Sequence, residues 1–286
     1  MSRSRFTEAT LVLVGHGATR NAESVAPVYQ HAATLRARGI FGQILECFWM
    51  VEPHINEIWS RVRHRSVFVV PVAISEGYFT GEVIPRALGL ESATRLDPPS
   101  TFLLQGRQVH YCAPVGTHIS MTDVLLARAL DALRQFPGDP APVRNQTTLL
   151  IAGHGTGRNS RSRLAVEHQV ERIRQQGLFA AVHPVFMLEP PLIRDVWTLA
   201  TTLDMILVPF FISDGLHTAE DIPILLGEPE TGVRARLARG EYGWINPTLR
   251  HGRRLWYTRA IGTEPRLADV ILRLVEEAAA GLLRPA

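Results

Sequence analysis

The 286-residue chain alternates short apolar runs rich in β-branched residues with longer segments whose apolar positions recur at helical spacing. That alternation predicts βα units on a parallel sheet. In the second half it places strands near 147–152, 181–187, 205–211 and 254–260, with helices between them. The first helix, near 160–176, is expected to end at Gly177, and its first-half counterpart at Gly39, because glycine accepts the left-handed conformation that closes a helix. Pro53 and Pro190 suit the first turn of a second helix. Thr218 with Asp221 reads as a capping box opening a third. A fourth strand leads through Gly262 and Thr263 into a C-terminal helix.

The same pattern occurs twice. Leu11 to Asn21 (LVLVGHGATRN) matches Leu149 to Asn159 (LLIAGHGTGRN), 138 residues later. Glu52-Pro53 with Trp59 answers Glu189-Pro190 with Trp197, and Val70 to Ser75 answers Val208 to Ser213. Thr80 to Pro85 answers Thr218 to Pro223, and Gly116-Thr117 answers Gly262-Thr263 after about eight extra residues between Leu226 and Arg253. The chain therefore divides into two homologous domains, 1–140 and 141–286, joined by the Pro/Gly-rich stretch 136–143. Each is expected to be a flavodoxin-like α/β domain, a four-stranded parallel sheet with helices on both faces.

Composition narrows the classes. With 46% hydrophobic and 20% charged residues, the chain is neither disordered nor collagenous. No apolar run approaches the roughly 20 residues of a membrane helix, so no membrane partner is expected. Cys47 and Cys112 are too few for a disulfide framework or a cysteine zinc site, which fits the cytoplasm. A net charge of +3 with no block of like charges gives no footprint for nucleic acid. All thirty basic residues are arginine. Arg158, Arg161 and Arg163 form one cluster, and Arg250, Arg253, Arg254 and Arg259 another; planar guanidinium forks suit carboxylate-bearing ligands.

Ligands of open parallel sheets bind beyond the carboxyl ends of the strands, where chain order reverses. With strand order 2-1-3-4, that point lies between strands 1 and 3. His154 follows strand 1 and His217 follows strand 3 in the second half, flanked by Asp214, Glu220 and Asp221. In the first half His16 takes the place of His154, but Phe79 takes the place of His217. Two neutral imidazoles near carboxylates suit a divalent transition metal with open coordination positions, and the same rings accept protons near neutral pH. Glu52 and Glu189 are either site residues or element-end caps, and Trp59 and Trp197 are core residues of the second helices. There is no nucleophile elbow, no phosphate loop and no dinucleotide fingerprint. Histidine phosphatases carry an arginine directly before the histidine, where Gly15 and Gly153 stand here.

The Gly-His-Gly strand ends, the Glu-Pro after strand 2 and the stretch Val208 to Pro223 (VPFFISDGLHTAEDIP) are similar to the class II tetrapyrrole chelatases, above all the CbiX-like sirohydrochlorin chelatases in two-domain fused form. The resemblance spans roughly residues 10–135 and 147–282. It implies two flavodoxin-like halves facing each other across a cleft. It also implies a lyase that inserts Co²⁺ or Fe²⁺, as substrate, into a tetrapyrrole such as sirohydrochlorin for cobalamin, sirohaem or haem biosynthesis, without an organic cofactor. The family's two catalytic histidines fall on His154 and His217, which are expected to hold the metal; one imidazole, aided by the catalytic carboxylate Glu220 or by Asp214, is expected to receive the pyrrole protons. Arg158, Arg161, Asp214 and His16 are expected to bind the macrocycle, aided by the 250–259 arginines. Fused sirohydrochlorin chelatases commonly keep this pair in the N-terminal half, whereas protoporphyrin ferrochelatases work from the C-terminal half, as here. The alternatives are a non-catalytic tetrapyrrole or metal-binding protein and a phosphoryl-transfer enzyme on the same fold. Either a monomer or a homodimer is compatible with the sequence.

Overall fold

Each strand expected in the second half is present, within three residues of its expected ends. The computed structural model describes residues 6–19, 22–90, 98–155 and 160–281. One sheet comprises β1 (Phe6–Gly15), β2 (Phe41–Phe48), β3 (Ser66–Pro71), β4 (Ser100–Leu104) and β5 (Arg107–Tyr111), in the order β2-β1-β3-β5-β4. The other comprises β6 (Thr147–Gly153), β7 (Ala181–Phe186), β8 (Asp204–Pro209), β9 (Thr248–Arg250) and β10 (Arg253–Tyr257), in the order β7-β6-β8-β10-β9.

The expected parallel 2-1-3-4 core is present in both, but each sheet has five strands rather than four. The additional edge strands β4 and β9 run antiparallel to β5 and β10. Each closes a hairpin through a two-residue turn with positive φ at both positions, Gln105-Gly106 and His251-Gly252. X-Gly between two strands is the ordinary signal for such a turn. It is legible in the sequence once β4 and β9 are recognised as strands.

The helices are α1 (Ala26–Arg38), α2 (Ile84–Leu88), α3 (Met121–Gln135), α4 (Ser160–Arg174), α5 (Val196–Leu199), α6 (Ile222–Leu225), α7 (Glu230–Ala238) and α8 (Leu267–Gly281). Gly39 and Gly177 have φ of +63°, as the helix ends require. The insertion between Leu226 and Arg253 holds α7. The expected second helices start later than placed: short turns begin at Ile55 and Ile193, so Pro53 and Pro190 precede them instead of opening them.

The chain forms two compact units that do not coincide with the sequence halves. Unit 1 is Met1–Met121 with Pro265–Ala286, and unit 2 is Thr122–Glu264. Each sheet is thus completed by the helix that follows the other sheet's last hairpin. In unit 1, α8 buries Leu267, Ile271, Leu274 and Val275 and packs on α1, β3 and β5, with Arg38 Nη1 2.5 Å from Asp269 Oδ1. In unit 2, the Thr122 hydroxyl of α3 donates to Gln169 Oε1 of α4 at 2.7 Å, and Arg128 Nη2 donates to Thr263 Oγ1 at 2.9 Å. Helical amphipathicity specifies that a face is buried, not which sheet buries it.

Beneath each sheet lies an apolar core, around Val12, Val69, Ile84 and Tyr111 in unit 1 and around Leu150, Leu207, Ile222 and Tyr257 in unit 2. Cys47 and Cys112 are buried free thiols, and burial pushes Cys47 up to about 12, so it stays protonated. Among the described residues no helix is long and apolar enough to cross a membrane.

Candidate active site

In unit 2, β6 and β8 are parallel neighbours, with Ala152 opposite Pro209, while β7 pairs with the other side of β6. Chain order reverses here, and the loops after β6 and β8 leave the sheet side by side. Gly153 ends β6 where a Cβ would lie 2.8 Å from Val166 of α4, so only glycine lets the helix close on the strand. Gly155 has φ of +67°, and a Cβ there would lie 2.8 Å from Glu189 Cγ. His154 is held between these two glycines. Its Nδ1 lies 2.9 Å from Gly155 O, so that nitrogen carries the proton and donates it. The Nε2 lone pair remains available.

His217 opens a π-helical turn, His217–Asp221, in which Ile222 N–H reaches back five residues to His217 O. Pro223, without an N–H, cannot continue a regular ladder at this point. The turn is pinned from below by the buried Tyr257, whose hydroxyl donates to Thr218 O at 2.6 Å. The Thr218 hydroxyl donates to Ser213 O and Gly215 O, so the expected capping box with Asp221 does not form. Asp221 accepts from His217 Nδ1 at 2.6 Å instead. That bond fixes the ring's tautomer and orientation and leaves its Nε2 free as well.

The two imidazoles meet with ring centroids 5.1 Å apart and planes at 70°. Phe211 stands 6.5 Å from His154 and 6.3 Å from His217. His154 is half-buried, whereas the His217 side chain is 49% exposed. Two sequence-predicted ligands therefore share one place with their Nε2 atoms unengaged.

Several other expected site residues are occupied elsewhere. Glu220 accepts from Arg234 Nε at 2.8 Å, so the carboxylate on the histidine pair is Asp221 and not Glu220. Asp214 accepts from Ala260 N at 2.7 Å and lies 3.2 Å from Arg259 Nη1, tying the end of β10 to the loop after β8. The 250–259 arginines are consumed within unit 2. Arg254 forms a bidentate fork on Asp204 over the Trp256 ring, Arg253 donates to Trp197 O and Thr202 O, and Arg250 donates to Gly227 O. Arg163 bonds Glu167, Pro190 O and Glu189 across the Phe186 ring. Arg161 is half-buried in the first turn of α4. Arg158 lies outside the described residues. His16 belongs to unit 1, where its Nδ1 lies 2.8 Å from Gly17 O and its ring packs on Trp49 and Phe79.

The structure singles out Glu189, for which the sequence left two readings open. Phe48 N donates to Pro53 O and Phe186 N to Pro191 O, both at 2.8 Å. The structural counterpart of Pro53 is thus Pro191, one residue off the sequence match, and Glu189 occupies the place of Val51. One Glu189 oxygen is 3.3 Å from Arg163 Nη1, and the other is buried beside Gly155 without a hydrogen-bond partner. Among the described residues no three His, Cys, Asp or Glu side chains converge as a closed metal cage. Two imidazoles alone leave most of a metal's coordination positions unfilled.

The CbiX family profile matches residues 10–132 and 148–278. The chain belongs to the CbiX family. It is 39% identical over 281 residues to the probable sirohydrochlorin cobaltochelatase of Halobacterium salinarum, covering 94% of this chain and 91% of that one. A multi-domain protein of Deinococcus radiodurans, described as structurally similar to chelatases with two additional domains, matches 94% of this chain at 29% identity and TM-score 0.77. The present chain spans 54% of that protein's length. The sirohydrochlorin chelatase SirB of Bacillus subtilis subspecies spizizenii, solved in complex with cobalt, shares the fold at TM-score 0.65 and 14% identity over 96% of each chain. Both CbiX segments end within α3 and α8, the two helices that complete the opposite units.

Proposed function

We propose that this CbiX-family chain is a tetrapyrrole metal chelatase, inserting Co²⁺ or Fe²⁺ into a sirohydrochlorin-type macrocycle at the histidine pair of unit 2. The observation that carries the reading is the meeting of His154 and His217 at 5.1 Å, each with Nδ1 engaged and Nε2 open. A chelatase must hold its metal and then release it, so an incomplete ligand set suits it better than a closed cage. Insertion places the dication on four pyrrole nitrogens and expels two N–H protons. Two Nε2 lone pairs match both halves of that exchange: they ligate the incoming ion and, once it has passed to the ring, accept the two protons.

Asp221 keeps the His217 ring aimed in both roles. The Glu189 carboxylate, paired with Arg163 through one oxygen, keeps its other oxygen beside Gly155 as a further acceptor at this end of the strands. Arg158 and Arg161 are the arginines we assign to the peripheral carboxylates of the ring, on the chemistry of the guanidinium fork. The family match and the Halobacterium relative support this reaction class.

The test is to incubate the purified protein with sirohydrochlorin and either Co²⁺ or Fe²⁺ and follow the visible spectrum. Conversion to the metallated ring is expected, and His154→Ala and His217→Ala should each lower the rate on the order of 10²-fold or more. Full activity in both variants overturns the assignment. Ring binding by the wild-type protein without conversion would mark a non-catalytic binder instead.

A further inference from the structure

The segment between Leu226 and Arg253, about eight residues longer than its counterpart in unit 1, folds back onto the turn that carries His217. Arg234 of α7 donates from Nε to Glu220 at 2.8 Å, and Glu230, one helical turn earlier, holds the same guanidinium through Nη2 at 2.6 Å. Gly243 backs onto the peptide of Ala219, where any Cβ would overlap the Ala219 carbonyl oxygen. Arg236 fixes that glycine, since its Nη2 donates to Gly243 O at 2.7 Å and to Glu228 Oε2 at 2.6 Å. On either side, Tyr242 stacks on Tyr257 at 5.8 Å and Trp244 meets the same ring edge-on at 5.9 Å. Tyr257 is the residue whose hydroxyl holds Thr218 O. Thr218, Ala219 and Glu220, the residues between His217 and Asp221, are therefore each held by this segment, directly or through Tyr257.

Unit 1 shows that the turn forms without such support. Its π-helical turn Phe79–Val83 keeps the tyrosine bond to Thr80 O, but Glu82, in the place of Glu220, is exposed. A Cβ on Gly81, in the place of Ala219, would meet nothing within 4 Å among the described residues. What the segment adds is restraint, not the turn itself. Restraint matters for His217 because its side chain is half-exposed and its aim depends on Asp221 at the far end of the same turn. Groups that meet a reacting centre have to be held to within about 0.5 Å. We infer that the segment is a positioning element for metal insertion, with Arg234 and Gly243 acting on His217 and Asp221 through Glu220 and Ala219. The reaction it serves rests on the chelatase reading of unit 2; the bracing does not.

The experiment uses the full chain carrying Arg234→Ala, Glu220→Ala, both together, or Glu220→Gln, which keeps an acceptor oxygen for Arg234. Arg234 is 63% exposed, so the melting temperature should not change. Each alanine variant is expected to lower kcat about three- to tenfold, less than loss of Asp221 because the bond lies one step further from the imidazole. Co²⁺ binding, read by calorimetry, should weaken by the same factor, KM for the macrocycle should stay as in the wild type, and amide exchange over residues 217–222 should accelerate. The combined variant should be no worse than either alone, since both remove one contact. Glu220→Gln should retain most of the wild-type rate, which a carboxylate acting directly on protons or metal would not allow. Glu82→Ala in unit 1 should change none of these readouts. Wild-type kcat and Co²⁺ affinity in Arg234→Ala, additive losses, or a Glu220→Gln variant as slow as Glu220→Ala overturns the proposal. If the wild-type chain metallates no ring, the chelatase reading fails and exchange over 217–222 decides the bracing: acceleration in Arg234→Ala sustains it, and unchanged rates overturn it.

Discussion

The two units keep one backbone at the ends of their first and third strands and diverge in almost every chemically useful side chain. Both have a Gly-His-Gly strand end with the histidine Nδ1 on the next carbonyl, at 2.8 Å in unit 1 and 2.9 Å in unit 2. Both have a π-helical turn pinned by a buried tyrosine, Tyr111 to Thr80 O at 2.5 Å and Tyr257 to Thr218 O at 2.6 Å. Yet unit 2 carries His217, Asp221 and Glu189 where unit 1 carries Phe79, Val83 and Val51. His217 and Asp221 are bonded partners, so Phe79 and Val83 replace a coupled pair, because a carboxylate left without its imidazole would lose its partner. Glu189 instead pairs with Arg163, and Val51 replaces it separately. The turn and the glycines persist because packing against the sheet needs them whether or not a metal passes.

Copying unit 1 into unit 2 one residue at a time tests that claim. Asp221→Asn and Asp221→Val keep both imidazoles but loosen the aim of His217, and insertion is expected to fall about 10- to 100-fold, the usual effect of removing a carboxylate behind a ligating histidine. Loss in kcat with little change in KM for the macrocycle would sharpen the assignment; a wild-type rate in both variants would end the positioning role. The reverse copy has a smaller expected effect. In the chain lacking His154 and His217, Phe79→His with Val83→Asp should raise Co²⁺ affinity about tenfold, read by calorimetry. No gain would mean that the unit 1 frame has drifted beyond what those two side chains repair.

The sequence made the parallel core, the tandem repeat and the pairing of His154 with His217 legible, because strand periodicity and the reversal rule depend on local pattern and on one topological fact. It did not reveal where the terminal helices dock. The stripe Leu267, Ile271, Leu274, Val275 is equally satisfied by either sheet, and the choice is made by tertiary contacts. Nor could it show that Arg254 closes on Asp204 or Arg234 on Glu220, since such forks join residues 50 and 14 positions apart. Choosing Asp221 over Glu220 required the π-helical turn, which changes the residue facing His217. Placing Glu189 required the register of Pro191, because a neighbouring proline gave a plausible match one residue away.

A further contrast lies in the fourth strands, where unit 1 has His110 and unit 2 has Trp256. His110 is fully buried, with Nδ1 3.0 Å from Thr101 Oγ1 and Nε2 unpartnered, and burial pushes its pKa below the usual histidine value. Below about pH 6.5 the unfolded chain protonates this histidine while the fold resists, so stability falls with pH until the folded pKa is passed, by at most about 1.4 kcal/mol per pH unit. His183 in unit 2, pushed down by burial and by Arg174, is only half-buried and gives a weaker trend. Hydrogen exchange between pH 7 and 5 should show unit 1 losing protection first, and His110→Phe should flatten its response. Parallel loss in both units, unchanged by that substitution, would contradict the contrast.

The smallest expected effect tests the shared frame rather than the difference. Trp59 Nε1 donates to Leu88 O and Trp197 Nε1 to Leu226 O, each at 3.0 Å, fastening the segment after the second strand to the helix after the third. Replacing either tryptophan by phenylalanine keeps an aromatic ring in the core and removes the donor, which leaves a carbonyl short of its partner. Each substitution is expected to cost about 1 kcal/mol. If packing alone maintains the frame, Trp59→Phe and Trp197→Phe should destabilise their own units equally in denaturant titrations followed by hydrogen exchange. A cost confined to unit 2 would mean that the frame is held to a tighter tolerance where the two imidazoles must meet, and that unit 1 has relaxed in its packing as well as in its chemistry.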